Sequence, residues 1–463
     1  MTAIFAVLAL PAWAVPPAVT NCDDSGVGSL RYAVDAVNGA VSGDTIDMST
    51  LACGTITLST GAIVVGQKNL TLTGPGRTAL TIHASPDSRV IVHNYAGASG
   101  HLYVNDLRVG YGVRSTASGA ARGGCIASVS ASLTLSNVGV YYCSATSTAP
   151  SNGGNAFGGG VFAAANLTIS NSVLLHNTVS ATNMYVPAKG GCAATIGDFD
   201  MRDSTVAYCQ ANGPGASVGG GALELHGNVT ITGSIIAASA SSYAIGGVNI
   251  FNNTSPGSLT ATISNSTITG NYAGDAIGGL YANSGHVNIN NSTIAMNTAA
   301  HFAYGTSYYA PGVAISSIHG PVTLSLQSTI IANNSSGGTQ EDLSASPNPE
   351  TVTITGSNNL VRAYKNDVTL PNGQGNLTGV CPLLGPIRDN GGSTFTHALL
   401  SGSPAIDAGN NSQNDPHSLP PGAPALYDGR GPGFARESGT ADIGAYESQK
   451  SEIVFDAGFD GCP

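Results

Sequence analysis

Two stretches decide the fold: Ala261–Asn271, ATISNSTITGN, and Val287–Asn297, VNINNSTIAMN. They are near copies of each other. Related copies read LTISNSVLLHN over Leu167–Asn177, VTITGSIIAAS over Val229–Ser239 and, in degenerate form, LQSTIIAN over Leu326–Asn333. Apolar residues alternate within each, as in Leu167 and Ile169, Val229 and Ile231, Val287 and Ile289. Alternation over four to six residues is the signature of a strand with one buried face, and helical periodicity is absent. Upstream of each copy stands a Gly-Gly pair, ending at Gly124, Gly160, Gly191, Gly221, Gly247 and Gly279, at spacings of 26 to 36 residues. The unit therefore offers two or three short strands joined by Gly and Asn turns. One unit cannot bury its own apolar face, whereas stacked units can, with strands pairing in parallel along one axis. The reading is an all-β, right-handed parallel β-helix. A β-propeller needs four strands per blade and a Trp-Asp-type signature, and the chain's single Trp lies near its start.

Composition agrees. A chain of 463 residues exceeds a typical domain, but a solenoid grows along one axis. Sixty-two glycines and a hydrophobic fraction of 42% with only 9% charged residues fit short apolar strands between tight turns. A net charge of −11 argues against nucleic acid and anionic membrane surfaces, which need clustered Lys and Arg.

The unit-ending asparagines Asn177, Asn271, Asn297 and Asn333 suit left-handed turns and, stacked in register, would form an amide ladder. Cys143 and Cys209 occupy that same slot, and Cys125 and Cys192 directly follow a Gly-Gly pair. Identical repeat slots suggest Cys125–Cys143 and Cys192–Cys209 bridges, leaving Cys22 with Cys53 and Cys381 with Cys462 to tie down the ends. Eight cysteines nevertheless allow about 105 pairings. Without a Cys-x-x-Cys pair, a zinc or redox role for these thiols is weak.

The ends differ from the middle. Ala3–Leu10 is apolar and precedes Pro11 and Ala12-Trp13-Ala14, an A-x-A-like cleavage site without the usual positive n-region. Residues 1–14 are expected to be a signal peptide, and export favours disulfides. Residues 15–45 form an N-terminal cap whose segment Ser29–Asn38, SLRYAVDAVN, carries Leu30, Ala33, Val34 and Val37 at helical spacing. The β-helix is expected over 46–375, a loop-rich C-terminal cap over 376–447 and a tail over 448–463. No other apolar run is long enough to span a membrane.

These ends carry a family resemblance. GVGSLRYAVDAVN, GDTIDM and GTITLSTGAIVVGQKNLTLTGPG (within Gly26–Gly76) resemble the opening of bacterial surface and secreted proteins with a CSLREA-type N-terminus, and the cap plan resembles that of pectate lyases. The repeats resemble those of chlamydial polymorphic outer membrane proteins. GSPAIDAG (Gly402–Gly409), DGRG (Asp428–Gly431) and ADIGAYE (Ala441–Glu447) resemble the choice-of-anchor Q domain of surface β-helix proteins. IVFDAGFDGCP (Ile453–Pro463) is similar to short tails of secreted gammaproteobacterial proteins. The resemblance implies an exported or surface-displayed β-helix. No length remains after residue 447 for the membrane barrel of the polymorphic proteins.

Three polar groups are candidates for chemistry. A lyase acting on an acidic sugar needs cations for the carboxylate and a base for the adjacent proton. Arg89, Arg108, Arg114 and Arg122, with His83, His93 and Asp106, fall in the early coils, but from Cys125 to Val361 the only cations are Lys189 and Arg202. The second group is Asp198, Asp200 and Asp203, with Glu224 one coil later. Phe199 and Met201 fit inward slots, so Asp198 and Asp200 point outward, where they could be a solvated face, a calcium site or a hydrolase pair. The GHG and RIK signatures of polygalacturonase-like enzymes are absent. The third group, Asp407, Asp428, Arg430, Arg436 and Asp442, is expected to pair and fix loops. Together these features favour a non-catalytic protein that binds surface glycans or proteins and needs no cofactor. A polysaccharide lyase or hydrolase is the alternative, and a purely structural envelope component a third. A cleft with converging Arg and carboxylates would favour the enzyme. A flat face of Asn, Ser and Thr with exposed Tyr would favour binding, and Tyr308 and Tyr309, on an insertion after Asn297, are the aromatic candidates.

Overall fold

A computed structural model describes residues 16–38, 43–97, 99–150, 154–215, 217–251, 258–300, 309–346, 350–365, 368–410 and 426–449. The chain is a parallel β-solenoid. Each coil runs through a front wall made of two consecutive strands, then a side wall, then a back wall that returns it to the front of the next coil. In one coil these are Leu167–Ser170 and Val173–Leu175 in front, Thr178–Ala181 at the side and Ala193–Thr195 at the back. Each strand pairs in parallel with its equivalent one coil on, so Leu133, Leu167, Phe199, Val229 and Ala261 stack in register. All five are buried in one continuous core. Phe199 and Met201 point inward, as the alternation requires.

Each eleven-residue copy in the sequence is two strands bent about one left-handed residue. Asn137, Asn171, Asp203, Asn265 and Asn291 hold φ between 46° and 53° at that bend, a conformation Asn and Asp tolerate better than most residues. The next residue turns inward. Val138 N–H donates to Ser172 Oγ, Ser172 N–H to Ser204 Oγ, Ser204 N–H to Ser234 Oγ and Ser234 N–H to Ser266 Oγ. This hydroxyl ladder uses the recurrent Asn-Ser dipeptide, a signal that strand periodicity alone passes over.

The second bend, between front and side walls, carries the amide ladder. Asn271 N–H donates to Asn297 Oδ1, Asn297 N–H to Asn334 Oδ1 and Asn334 N–H to the Asp342 carboxylate, all at 2.8–3.1 Å. The slot belongs to Asn334, not Asn333. Asn333 is the left-handed residue before it, with φ 61°.

The amide ladder faces the residue that opens each back-wall entry, two positions after the left-handed Gly123, Gly158 and Gly190 in the early coils. Cys125 faces Cys143 and Cys192 faces Cys209, each pair disulfide-bonded with Cα atoms 5.4 Å apart. Elsewhere a small residue faces a larger one: Gly160 lies against Asn177 and Gly279 against Asn297. A Cβ on Gly279 would lie 3.1 Å from Asn297 Nδ2 and would overlap the Gly312 carbonyl. The glycines are thus demanded by close backbone approach. This neck divides the cross-section into the main core and a smaller lobe containing Ala145, Val179, Ala211 and Val218.

Cys22–Cys53 ties the N-terminal segment to the first coil. Cys381 is disulfide-bonded, and its expected partner, Cys462, lies outside the described residues. The helix Leu30–Val37 starts at Ser29, whose hydroxyl accepts from Tyr32 N–H, and buries Leu30, Ala33, Val34 and Val37. The C-terminal segment departs from the expected end cap. Val368 and Leu370 join the core at the last coil, whereas residues 384–410 and 426–449 lie as an arm along the flank of the front wall. Thr394 Oγ1 donates to the Gly233 carbonyl, Ala445 N–H to Thr293 Oγ1 and Gly444 N–H to the Ser328 carbonyl. The physical reason is the wall itself: Ala295, Ile330 and Ala332 present apolar side chains outward, and Leu384, Leu399, Ile443 and Tyr446 cover them.

A candidate binding face

The left-handed slot before the amide ladder faces outward, and its occupants build a column of rings. Tyr111, Tyr142, His176 and Tyr208 hold φ 56–60° in successive coils. Their ring centroids lie 5.5, 5.0 and 4.9 Å apart, with planes within 17° of parallel. His83 extends the column at 5.0 Å from Tyr111, tilted by 54°. The spacing follows from the coil repeat, because paired strands stand about 4.8 Å apart. The tyrosines are about half exposed. Beside them the side wall presents Ser144, Thr146, Thr178, Ser180, Gln210 and Asn212, while Ala145, Val179 and Ala211 alternate inward. The result is an uncharged face of hydroxyls, amides and ring edges, 5 Å per rung. The other flank carries Arg108, whose guanidinium sits 4.7 Å from the Tyr141 ring centroid.

The column ends at the arm. After Tyr208 the same slot holds Ala238, Gly270 and then Met296. A cavity of about 360 Å³ opens there, lined by Tyr208, Ala238, Gly270, Met296, Phe395 and His397 among others. His397 is buried. Its Nδ1 donates to the Gly385 carbonyl at 2.7 Å and its Nε2 accepts from Thr269 Oγ1 at 2.9 Å. Burial lowers its pKa, with the Gly385 bond opposing, so the imidazole is neutral.

The residues singled out from sequence do not meet in one site. Asp106 adopts φ 56° at the first front-wall bend and accepts from Asn137 Nδ2 at 2.7 Å. Arg108 stands on the front wall, and Arg89 donates through Nε to the Arg122 and Gly123 carbonyls at the entry to the back wall. Burial, and then Arg114 nearby, push the Arg89 pKa down to about 10. His93 points into the interior, bonded to Ser128 Oγ and the Gln67 carbonyl.

Asp198 and Asp200 are on the front wall, and Asp198 Oδ1 accepts from Asn228 N–H at 2.9 Å. Glu224 belongs to the back wall, paired with Ala194 and Asn249, so it forms no carboxylate pair with Asp200. Its carboxylate is fully buried and accepts from Lys189 Nζ at 3.1 Å, His226 Nε2 at 3.0 Å and Asn249 Nδ2 at 2.6 Å. Burial raises its pKa, but Lys189, His226 and Asn249 outweigh that and hold it below the usual carboxylate range. Among the described residues no group of three or more His, Cys, Asp or Glu could hold a metal ion.

Tyr309 packs edge-on to Tyr281 at 5.8 Å, and Tyr308 lies outside the described residues. Asp428 and Arg430 pair at 2.8 Å inside the arm, with the guanidinium between the Phe434 and Tyr446 rings. Asp442 accepts from Asp407 N–H, and Arg436 donates to the Gly444 carbonyl.

No protein-family model matches the chain, and no curated protein matches it. Among solved structures it is similar to the crystal structure of pectate lyase Pel9A, at 13% identity and a TM-score of 0.37, over 91% of this chain and 91% of that one. The likeness is one of fold. The ring column was not among the sequence-based candidates. Its signal is a Tyr or His directly before the unit-ending slot, in Tyr142-Cys143, His176-Asn177 and Tyr208-Cys209.

Proposed function

We propose that the protein is an exported, non-catalytic solenoid that binds an extended neutral glycan along the ring column and the adjoining side wall. The observation that carries this reading is the five-ring column beside an uncharged row of Ser, Thr, Gln and Asn. Because the rings stack on one another, they offer edges, hydroxyls and ring nitrogens outward, in a regular row. A polymer with regularly spaced hydroxyls meets one rung after another, and tyrosines give contact area at small entropic cost. The lyase alternative is disfavoured by the placement of its candidate groups. Glu224 is already occupied by a cation, an imidazole and an amide, and the arginines stand on different walls. Export is supported by the disulfides and by the A-x-A-like segment.

The test is affinity measurement on the purified protein with neutral and acidic polysaccharides, run beside reducing-end and ultraviolet product assays. Binding to a neutral polymer without product is expected, and Tyr142→Ala should weaken it about tenfold, a central-anchor effect of roughly 1.4 kcal/mol. Product formation abolished by Glu224→Gln would reverse the reading.

A further inference from the structure

The ring column is interrupted at a defined place. Tyr111, Tyr142, His176 and Tyr208 fill one backbone slot in four successive coils, and Ala238 and Gly270 leave it empty in the next two before Met296 fills it again. Ala238 and Gly270 are exposed, so the gap is open to solvent along the column. Its near wall is the outer face of Tyr208, which no protein ring covers among the described residues, and its far wall is Met296. The arm closes a third side with Phe395, a residue 51% exposed although it lines the same cavity. The remaining lining is apolar or hydroxylic: Leu175, Ile235, Thr205 and Thr269 among others, with no charged side chain. In a chain of net charge −11, that lining selects against ions and for neutral ligands. The cavity, about 360 Å³, is of a size that holds a small organic molecule.

We infer that this gap is a binding site for the uncharged planar ring of a phenol-type aromatic ligand, which stacks on Tyr208 as the next rung of the column. The coil repeat leaves space for two rungs between Tyr208 and Met296, since three coil steps span about 14 Å. A flat ring stacked on Tyr208 takes the first of these rungs, and Met296 closes the far side of the second with a soft thioether that packs well against aromatic faces. Phe395 meets it edge-on or offset, as ring pairs prefer. Thr205 adds a hydroxylic side chain to the lining for a phenolic oxygen, whereas the Thr269 hydroxyl already donates to His397. The inference stands apart from the glycan reading, because it concerns the gap beyond the last ring and not the edges of the column.

The probe is β-naphthol, with its perhydro analogue decalol as the non-planar control, followed by ligand-observed NMR and calorimetry on the full chain. Saturable β-naphthol binding is expected, with upfield ring-current shifts, and decalol should bind about tenfold more weakly. Ala238→Tyr is the blocking variant. That slot already carries Tyr in three coils at φ 56–60°, and Ala238 itself sits at φ 49°, so the variant should fold and extend the column by one ring. It should weaken β-naphthol at least tenfold without lowering polysaccharide affinity, since it adds a ring to the column and removes none. Phe395→Ala should weaken β-naphthol severalfold and serves if Ala238→Tyr does not fold. Absence of saturable binding, equal binding of decalol, or full binding by Ala238→Tyr would each overturn the inference. Loss of glycan affinity with β-naphthol binding intact would overturn only the glycan reading.

Discussion

At the scale of single residues, a buried charge is tolerated where partners surround it. Glu224 shows this most sharply, as a fully buried carboxylate held by Lys189, His226 and Asn249. Removing one partner of a buried ion pair strands the other charge, at a cost of about 3–5 kcal/mol. Lys189→Ala should therefore lower the urea midpoint substantially, whereas Glu224→Gln with Lys189→Met should recover much of the loss. If Lys189→Ala were neutral, the cluster would not be the buried network described. The neck gives a second case. Asn297 donates to the Ile268 carbonyl and to Asn334 Oδ1 and accepts from Asn271. Asn297→Ala leaves those groups unpaired in a closed interior, at about 1–3 kcal/mol, read from the shift in unfolding midpoint. A Ser at the same slot, as in Ser239, should cost less.

At the scale of elements, the strands were legible and the bends only partly so. Alternation in Ala261–Asn271 and its copies identifies inward residues such as Ile263 and Ile289, because a parallel pair keeps every side chain on one face. What alternation does not report is where a strand bends or where a wall is covered. The Asn334 register differs by one from the Asn333 expectation because two adjacent asparagines serve the left-handed turn and the inward amide, and composition cannot say which does which. A C-terminal cap is the expectation for 376–447, but nothing in strand alternation marks Ala295, Ile330 and Ala332 as an outward apolar patch that the arm covers.

The arm carries its own pH dependence. His397 is neutral when docked, with its pKa below the ordinary value of about 6.5. The unfolded chain then takes up the proton first on acidification, so the stability due to His397 is complete above that value and falls as pH drops towards the folded pKa. Glu447, pushed up to about 7 by burial against the bonds it accepts, acts oppositely: its contribution is complete at low pH and is lost as pH rises to about 7. Asp428 and Asp442 are also raised by burial. The difference between wild type and His397→Gln isolates the histidine. Arm amides should lose hydrogen-exchange protection on acidification from pH 7.5 to 5 less steeply in the variant. Identical slopes would remove His397 from the account.

At the scale of the whole molecule, a repeating coil converts one residue choice per turn into a linear feature. Inward, the choice builds hydroxyl and amide ladders; outward, it builds the ring column. Fold class, repeat period and cysteine slots could be read from the sequence because they recur in it. The ring column recurs there too, as Tyr or His before the unit-ending slot, but strand alternation passes over it, because a left-handed backbone position sends Tyr142 outward while its neighbour Cys143 turns in. The Arg and Asp candidates stood out by charge, but the coil path distributes them over different walls.

The central claim is that the ring column is the surface that meets ligand. Tyrosine nitration with tetranitromethane, with and without a bound neutral polysaccharide, tests it most directly. Tyr111, Tyr142 and Tyr208 are about half exposed, and Tyr185, at 65%, stands on a loop away from the column as an internal control. The account predicts that bound polymer protects Tyr111, Tyr142 and Tyr208 while Tyr185 reacts unchanged. Protection of Tyr185 with continued nitration of Tyr142 and Tyr208 would contradict it and move the binding surface elsewhere.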